Sequence, residues 1–139
     1  MSTTPTVNAV IADTPYTVTL SDGRGHQWLS DEPAELQGAD AGPDPHHLLL
    51  SSLGACTAIT LKMYAARKGW PLTGTEVTLQ FNPEGTPAAG LNHVQRRITL
   101  HGELSVEQRE RLLQIANACP IHKVLSGEIR IASVLDPDA

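Results

Sequence analysis

Two cysteines, Cys56 and Cys119, stand in the most distinctive surroundings of this sequence. The first ends the apolar run Leu-Leu-Leu-Ser-Ser-Leu-Gly-Ala-Cys, and the second lies in Ala-Cys-Pro-Ile-His, directly before a proline. A sulfenic acid formed on one thiol condenses with a second thiol to a disulfide, so two cysteines can run a redox cycle. A thiol in a long apolar helix and another at a Cys-Pro break predict a two-cysteine redox enzyme.

The two thiols differ in the help that their own helices can give. Cys119 precedes Pro120, and proline prefers the first helical position, so Cys119 is expected to be an N-cap with a depressed pKa. Cys56 follows Pro45 by eleven residues, about three turns into its helix, where the helix dipole has faded. Local physics therefore makes Cys119 the more acidic thiol, and Cys56 needs a cationic or hydrogen-bonding partner from elsewhere.

Length and composition predict a single folded domain over residues 1–139. Hydrophobic residues make up 40% of the chain and charged residues 18%, as in folded proteins. The net charge of −5 and the scattered basic residues argue against nucleic-acid binding, which needs clustered lysine and arginine. We expect a globular protein that is not built around nucleic acid.

The chain lacks the patterns that would target it to a membrane. Its N-terminal residues have neither the basic start nor the apolar run of a signal peptide. The apolar-rich stretch 48–61 is too short to span a bilayer. We therefore expect a cytoplasmic protein without membrane contact, in which cysteines stay reduced unless a catalytic cycle oxidises them.

Apolar and polar residues alternate through the first 30 positions, which predicts a three-stranded meander. The turn-rich loop 31–44 follows. Asp44 as N-cap and Pro45 at the first helical position then open a helix that runs to about Lys68, where Gly69 ends it. This helix is apolar around most of its circumference and must be covered on all sides. A second copy of the chain would cover the side that one sheet leaves open, which predicts an intimate homodimer.

The second half of the chain predicts two strands, a helix and a last strand. Residues 75–81 and 92–101 alternate as strands do. Ser105 and Gln108 form a capping box that opens a helix. Its predicted core face consists of Leu104, Leu112, Leu113, Ile115 and Ala116. The Cys-Pro break leads into a short helical segment to about Leu125, and Ile129, Ile131 and Val134 predict the closing strand. The order βββ-α-ββ-α-β is an α+β fold.

These motifs, in this order, resemble the OsmC/Ohr family of thiol-dependent organic hydroperoxide reductases. The resemblance is carried by Gly-Pro-x-Pro-x-x-Leu-Leu-Leu-x-x-Leu-Gly-Ala-Cys56-Thr and by Ala-x-x-Cys119-Pro-x-His122. It implies an intertwined homodimer in which two sheets enclose two long central helices. It also implies that Cys56 attacks an organic hydroperoxide, that Cys119 resolves the sulfenic acid as a disulfide, and that a dithiol reductant reopens it.

The family places an arginine and a glutamate beside the peroxidatic cysteine. Here His46 occupies the glutamate position, ten residues before Cys56. For the arginine, Arg24 lies in the matching loop, whereas alignment on Ser30-Asp31 puts His26 there. His46 is about 15 Å along the helix axis from Cys56, so a second chain is the expected donor. Arg24, His26 and His46 are thus the candidate partners of Cys56.

Three alternatives remain open from the sequence. One is a binding protein that keeps the dimeric scaffold without peroxidase activity, and another is a structural dimer with inert thiols. The third is an acyl-transfer enzyme with Cys119 and His122 as partners. Zinc is disfavoured because His46, His47 and His122 would have only one thiolate beside them. We expect no metal and no cofactor.

Overall fold

A computed structural model describes residues 4–136 of the chain. Its contacts group into two compact units, one ending at Ser51 and the other beginning at Ser52. The long helix α1 (Pro45–Lys68) runs through both of them. Both cysteines belong to the second unit.

The first unit contains an antiparallel meander of β1 (Asn8–Ile11), β2 (Val18–Ser21) and β3 (Gln27–Ser30). The register pairs Ala9 with Leu20 and Leu20 with Trp28. The predicted three-stranded meander is therefore confirmed. After a single 3-10 turn at Ala34–Leu36, the chain enters α1.

A buried carboxylate organises the loop between the meander and α1. Asp31 is 2% exposed, and one of its oxygens accepts hydrogen bonds from Thr17 Oγ1 at 2.7 Å and from the Ala41 N–H at 3.2 Å. The other accepts from the N–H groups of Glu32 and Ala39. The bond from Thr17, with those from the backbone, lowers the pKa of Asp31. The carboxylate thus stays ionised and fixes the loop at several points.

The ends of α1 follow from local side-chain and backbone chemistry. The Asp44 carboxylate accepts the His47 N–H at 2.9 Å, which is the N-cap bond expected three residues into a helix. At the other end Gly69 adopts φ 72°, and the Trp70 N–H reaches back to the Ala65 carbonyl at 2.9 Å. This is a Schellman motif. Both predicted ends of the helix are confirmed.

The chain itself buries one narrow stripe of α1. The buried positions recur every fourth residue and are Leu53, Thr57, Leu61 and Ala65. On other sides of the helix Ile59 is 58% exposed and Met63 is 56% exposed. Among residues 4–136, α1 is also the one helix long and apolar enough to cross a membrane, a property that core helices of soluble proteins share.

The second unit packs a two-stranded sheet and two further helices around the rest of α1. Its elements are β4 (Gly74–Phe81), β5 (Val94–His101), α2 (Val106–Ala116) and α3 (Pro120–Ser126). The strands are antiparallel, and Ser105 and Gln108 cap α2 reciprocally as predicted. Leu61 and Ala65 from α1 meet Leu112 and Ala116 from α2 in the core. This contact fixes the end of α2 beside α1.

One residue of the predicted core face of α2 is wrong. Leu112 and Ala116 are fully buried, but Leu113 is 62% exposed. Residues four apart lie on one side of a helix, whereas the next residue along turns by about 100°. The core therefore takes Leu112 and Ala116 and leaves Leu113 outside.

The predicted closing strand is also wrong for this chain. Residues 127–136 form no strand, and Ile131 and Val134 are 86% and 94% exposed. A strand exists through hydrogen bonds to a neighbour, and no strand within residues 4–136 pairs with this segment. The α+β class is confirmed as three helices and two small antiparallel sheets, with α3 as the last regular element.

Candidate active site

The two thiols, about 60 residues apart in sequence, meet in the second unit. Cys56 is half-buried on α1, next to the buried Thr57. Because α2 packs against α1, the short turn after α2 brings Cys119 to the same place, where it is fully buried. Both are free thiols, and they lie close enough together that each shifts the pKa of the other.

Cys119 is the N-cap of α3, as its position before Pro120 predicted. Its sulfur accepts the His122 N–H at 3.3 Å. Burial raises the pKa of Cys119, but hydrogen bonds from Cys56, from the backbone of His122 and Ile121, and from Thr57 outweigh it. The net effect lowers the pKa of the Cys119 thiol, which confirms the local argument for the more acidic thiol.

The neighbours of Cys56 act in the opposite direction. Burial raises the pKa of Cys56 first, and the hydrogen bond and charge of Cys119 raise it further. The backbone of Ile121 and the Thr60 hydroxyl, 4.0 Å from the sulfur, lower it by less. In the resting pair Cys56 is therefore the proton donor and Cys119 the acceptor.

Arg96 donates hydrogen bonds to three neutral groups around Cys119. Its guanidinium donates to Thr57 Oγ1 at 3.1 Å, to Asn117 Oδ1 at 3.0 Å and to His122 Nδ1 at 3.1 Å. Two adjacent arginines on a strand, Arg96 and Arg97, are expected to be an ordinary exposed pair with one side chain on each face, but Arg96 is half-buried. Arg97 is exposed, as expected for its neighbour on the opposite face of the strand.

The contacts of His122 define its protonation. A guanidinium can only donate hydrogen bonds, so Nδ1 of His122 carries a lone pair and the ring proton lies on Nε2. Burial, followed by the charge of Arg96, lowers the pKa of His122. The ring is neutral, and the group of His122 that contacts Cys119 is its backbone N–H. This arrangement argues against Cys119 and His122 as a nucleophile and its base.

A cavity of about 460 Å³ opens beside this cluster. Arg96, Asn117 and His122 are among its polar lining residues, and Leu53 and Ile98 are among its apolar ones. Such a cleft, lined by apolar side chains and a few polar groups, suits a small, mainly apolar molecule.

The three basic candidates from the sequence lie in the first unit. His26 is in the turn between β2 and β3, where its Nδ1 pairs with an Asp22 oxygen at 2.6 Å. The backbone N–H of Arg24 donates to Asp22 at 2.8 Å. This bond and the contacts of His26 outweigh the opposing effect of burial and lower the pKa of Asp22 to about 2. His46 lies exposed in the first turn of α1.

Sequence reasoning missed Thr57, Arg96 and Asn117. A signal for Arg96 was present: alternation along β5 places it on the same face as Ile98 and Leu100, which pack on the core. Thr57 follows Cys56 directly, but its role depends on the arginine that arrives from β5. No local pattern predicts that meeting.

Comparison with known proteins agrees with the architecture. The family model described as OsmC-like protein matches residues 38–134, which is more than half of the chain. A comparison of this chain with curated proteins found no match.

Several solved structures share the fold. An OsmC-like protein from Mycoplasma pneumoniae has a TM-score of 0.75 at 20% identity, over 91% of this chain and 90% of that one. An organic hydroperoxide resistance protein from Legionella pneumophila has a TM-score of 0.66 at 22% identity, over 89% and 90%. Another from Elizabethkingia anophelis has a TM-score of 0.69 at 18% identity, over 91% of each chain. At these identities the likeness establishes the fold.

Proposed function

Because this chain belongs to the OsmC-like protein family, we propose that it is a cytoplasmic, cysteine-based peroxidase that reduces organic hydroperoxides to alcohols. The observation that carries the proposal is that the fold brings the thiols of Cys56 and Cys119 together, close enough for each to shift the pKa of the other. Two thiols in such contact can become a disulfide with little movement of the chain. Neighbours of the same fold named organic hydroperoxide resistance proteins add support.

The proposed cycle has three balanced steps. The Cys56 thiolate attacks the distal oxygen of the hydroperoxide, the O–O bond breaks, and the alkoxide leaves as an alcohol after taking a proton. The Cys119 thiolate then attacks the sulfur of the Cys56 sulfenic acid, so that an S–S bond forms, the S–O bond breaks and hydroxide leaves. A dithiol reductant supplies two electrons to reopen the disulfide.

The first step needs a group that favours the Cys56 thiolate, because burial and Cys119 raise its pKa. We propose that Arg24 or His26, or His46 from a second copy of the chain, supplies it. Either a guanidinium or a protonated imidazole would stabilise the thiolate and orient the peroxide oxygen.

We also propose that the protein works as an intertwined homodimer. The exposed apolar residues of α1 and the unpaired apolar tail after α3 support this assembly. A partner chain could cover the apolar residues of α1 and pair one of its strands with the tail after α3. The dimer would also bring His46 of one copy toward Cys56 of the other if the two central helices are antiparallel.

A peroxidase assay tests the chemistry directly. Purified protein with tert-butyl or cumene hydroperoxide and a dithiol should consume peroxide, and Cys56→Ser should lose at least about 100-fold in rate because the nucleophile is gone. Cys119→Ser should form a Cys56 sulfenic acid without an intramolecular disulfide. If Cys56→Ser is as fast as the wild type, the proposal is wrong.

A non-peroxidase binding protein on the same scaffold is the second candidate. The raised pKa of Cys56 favours it, since a protonated thiol is a poor nucleophile. This candidate predicts that peroxide leaves both thiols open to alkylation.

A further inference from the structure

The polar cluster behind Cys119 has one cation at its centre. The three hydrogen bonds of Arg96 end on Thr57 from α1, on Asn117 at the end of α2 and on His122 from α3. His122 also donates its backbone N–H to the Cys119 sulfur at 3.3 Å, and the Thr57 side chain helps to lower the pKa of Cys119. The proposed function does not use Arg96, although it links three helices around the resolving thiol.

We propose that Arg96 is a positioning residue that holds Thr57 and His122 against Cys119 and so keeps that sulfur ready to attack the Cys56 sulfenic acid. The proposal rests on the proposed function and concerns its second step. In that step Cys119 must be a thiolate and must face Cys56, and the arginine would act through Thr57 and His122.

Thr57 is the more direct of the two links. Its hydroxyl has one proton, which is donated to the Leu53 carbonyl at 2.7 Å, while its oxygen accepts from Arg96. When Cys119 ionises, the same proton can turn from the carbonyl to the sulfur, because the arginine bond leaves the oxygen in place. A hydroxyl that accepts from a guanidinium is also a stronger donor.

His122 is the second link. The bond from Arg96 to its ring Nδ1, together with the bond to Asn117, fixes the first turn of α3 against the end of α2. That turn carries the backbone N–H groups of Ile121 and His122, which favour the Cys119 thiolate. A rotation of α3 would weaken both at once.

The groups that control this ionisation come from each element around the sulfur. Cys56 contributes its thiol from α1 and His122 a neutral ring from α3. Arg96 on β5 is the charged residue of the cluster and reaches the sulfur through Thr57 and His122, and Asn117 at the end of α2 is neutral. Loss of Arg96 should therefore raise the pKa of the Cys119 thiol, because the groups that stabilise its thiolate would no longer be held in place.

The test compares Arg96→Met with Arg97→Met in the full-length protein. After a pulse of tert-butyl hydroperoxide, Arg96→Met should form the Cys56–Cys119 disulfide on the order of tenfold more slowly, and dimedone should trap more Cys56 sulfenic acid. Arg97→Met removes the same charge from the exposed face of β5 and should behave as the wild type.

A second readout needs no peroxide. The pH midpoint for alkylation of Cys119 by iodoacetamide, read at that cysteine by mass spectrometry, should move upward in Arg96→Met and in Thr57→Val. Thr57→Ser keeps the hydroxyl and should keep the wild-type midpoint. Arg96→Lys keeps the charge without the planar fork that spans Thr57 and His122, so it should resemble Arg96→Met.

The outcomes separate the two proposals. Equal disulfide rates and equal midpoints in Arg96→Met and Arg97→Met would overturn the role of Arg96, and so would full rescue by Arg96→Lys. If the wild type forms neither sulfenic acid nor disulfide, the peroxidase proposal fails instead. If Arg96→Met does not fold, the comparison of Thr57→Val with Thr57→Ser decides the question. Equal pH midpoints for alkylation of Cys119 in these two variants would contradict the proposed role of Arg96.

Discussion

At the scale of single residues, the two thiols differ in acidity. The pKa of Cys119 is lowered and that of Cys56 is raised, so Cys56 holds its proton more firmly. A peroxidase that begins at Cys56 must reverse this order when substrate binds. The proposed partners of Cys56 matter for that reason, and Arg24, His26 and a second-copy His46 are the residues to vary.

The Cys56 side chain lowers the pKa of Cys119, which predicts how Cys119 responds to changes at Cys56. Cys56→Ala removes the hydrogen bond that favours the Cys119 thiolate, so the pKa of Cys119 should rise. Cys56→Ser keeps a donor at the same place and should hold the pKa near its wild-type value. The pH dependence of Cys119 alkylation measures both. Identical profiles for the alanine and serine variants would contradict the hydrogen bond between the sulfurs.

At the scale of elements, the site depends on how α2 and β5 are held against the rest of the second unit. The turn from β5 to α2 contains Gly102, with φ 133°, and a Cβ there would overlap the carbonyl oxygen of Pro71. The Thr73 N–H donates to the His101 carbonyl at 2.8 Å just beside this contact. The backbone on both sides is therefore fixed, and a side chain has no room.

Gly102→Ala should destabilise the protein by at least about 3 kcal/mol, because the clash with backbone adds to the strain of a positive φ. Gly85→Ala is the matched control, since Gly85 also has a positive φ but nothing within 4 Å of its Cβ position. It should cost about 1–2 kcal/mol. Urea unfolding measures both, and an equal loss in the two variants would show that the clash is relieved cheaply.

Elements were predictable where their signals are local. The Asp44 cap, the Gly69 end of α1 and the capping box at Ser105 each depend on residues within one turn of chain, and all are confirmed. Leu113 and the closing strand failed because a core face and a strand are completed by partners far away in sequence. The place of Arg96 in the site was missed for the same reason, because its hydrogen-bond partners lie on other elements.

At the scale of the whole molecule, the main feature is an apolar side of α1 that lies exposed to solvent. Ile59 and Met63 lie one turn apart on this helix and are both more than half exposed. The tail after α3 adds Val134 and Leu135, exposed at 94% and 95%. Apolar surface of this extent, on a helix and an unpaired segment together, is typical of an interface.

Ile59→Glu should therefore dissociate the proposed homodimer. Two-fold symmetry would bury the new carboxylate twice without a partner, which costs several kcal/mol for each charge. Val106→Glu is the control: Val106 is 67% exposed at the start of α2, where an acidic residue is favourable. Sedimentation velocity at micromolar protein should give a dimer for the wild type and control and a monomer for Ile59→Glu. A wild-type monomer, or a dimer in all three, would contradict the proposal.

The sequence by itself determined the helices, most strands, the OsmC-like family and the two thiols as the centre of the site. It did so because caps, alternation and the Cys-Pro break are local, and because the thiol motifs are specific. Only the tertiary structure decided that Cys56 and Cys119 lie together, that burial and Cys119 raise the pKa of Cys56, and that Arg96 contacts Thr57 and His122 beside Cys119. A pKa depends on which donors surround a sulfur, and folding brings those donors from α1, β5 and α3 to one place.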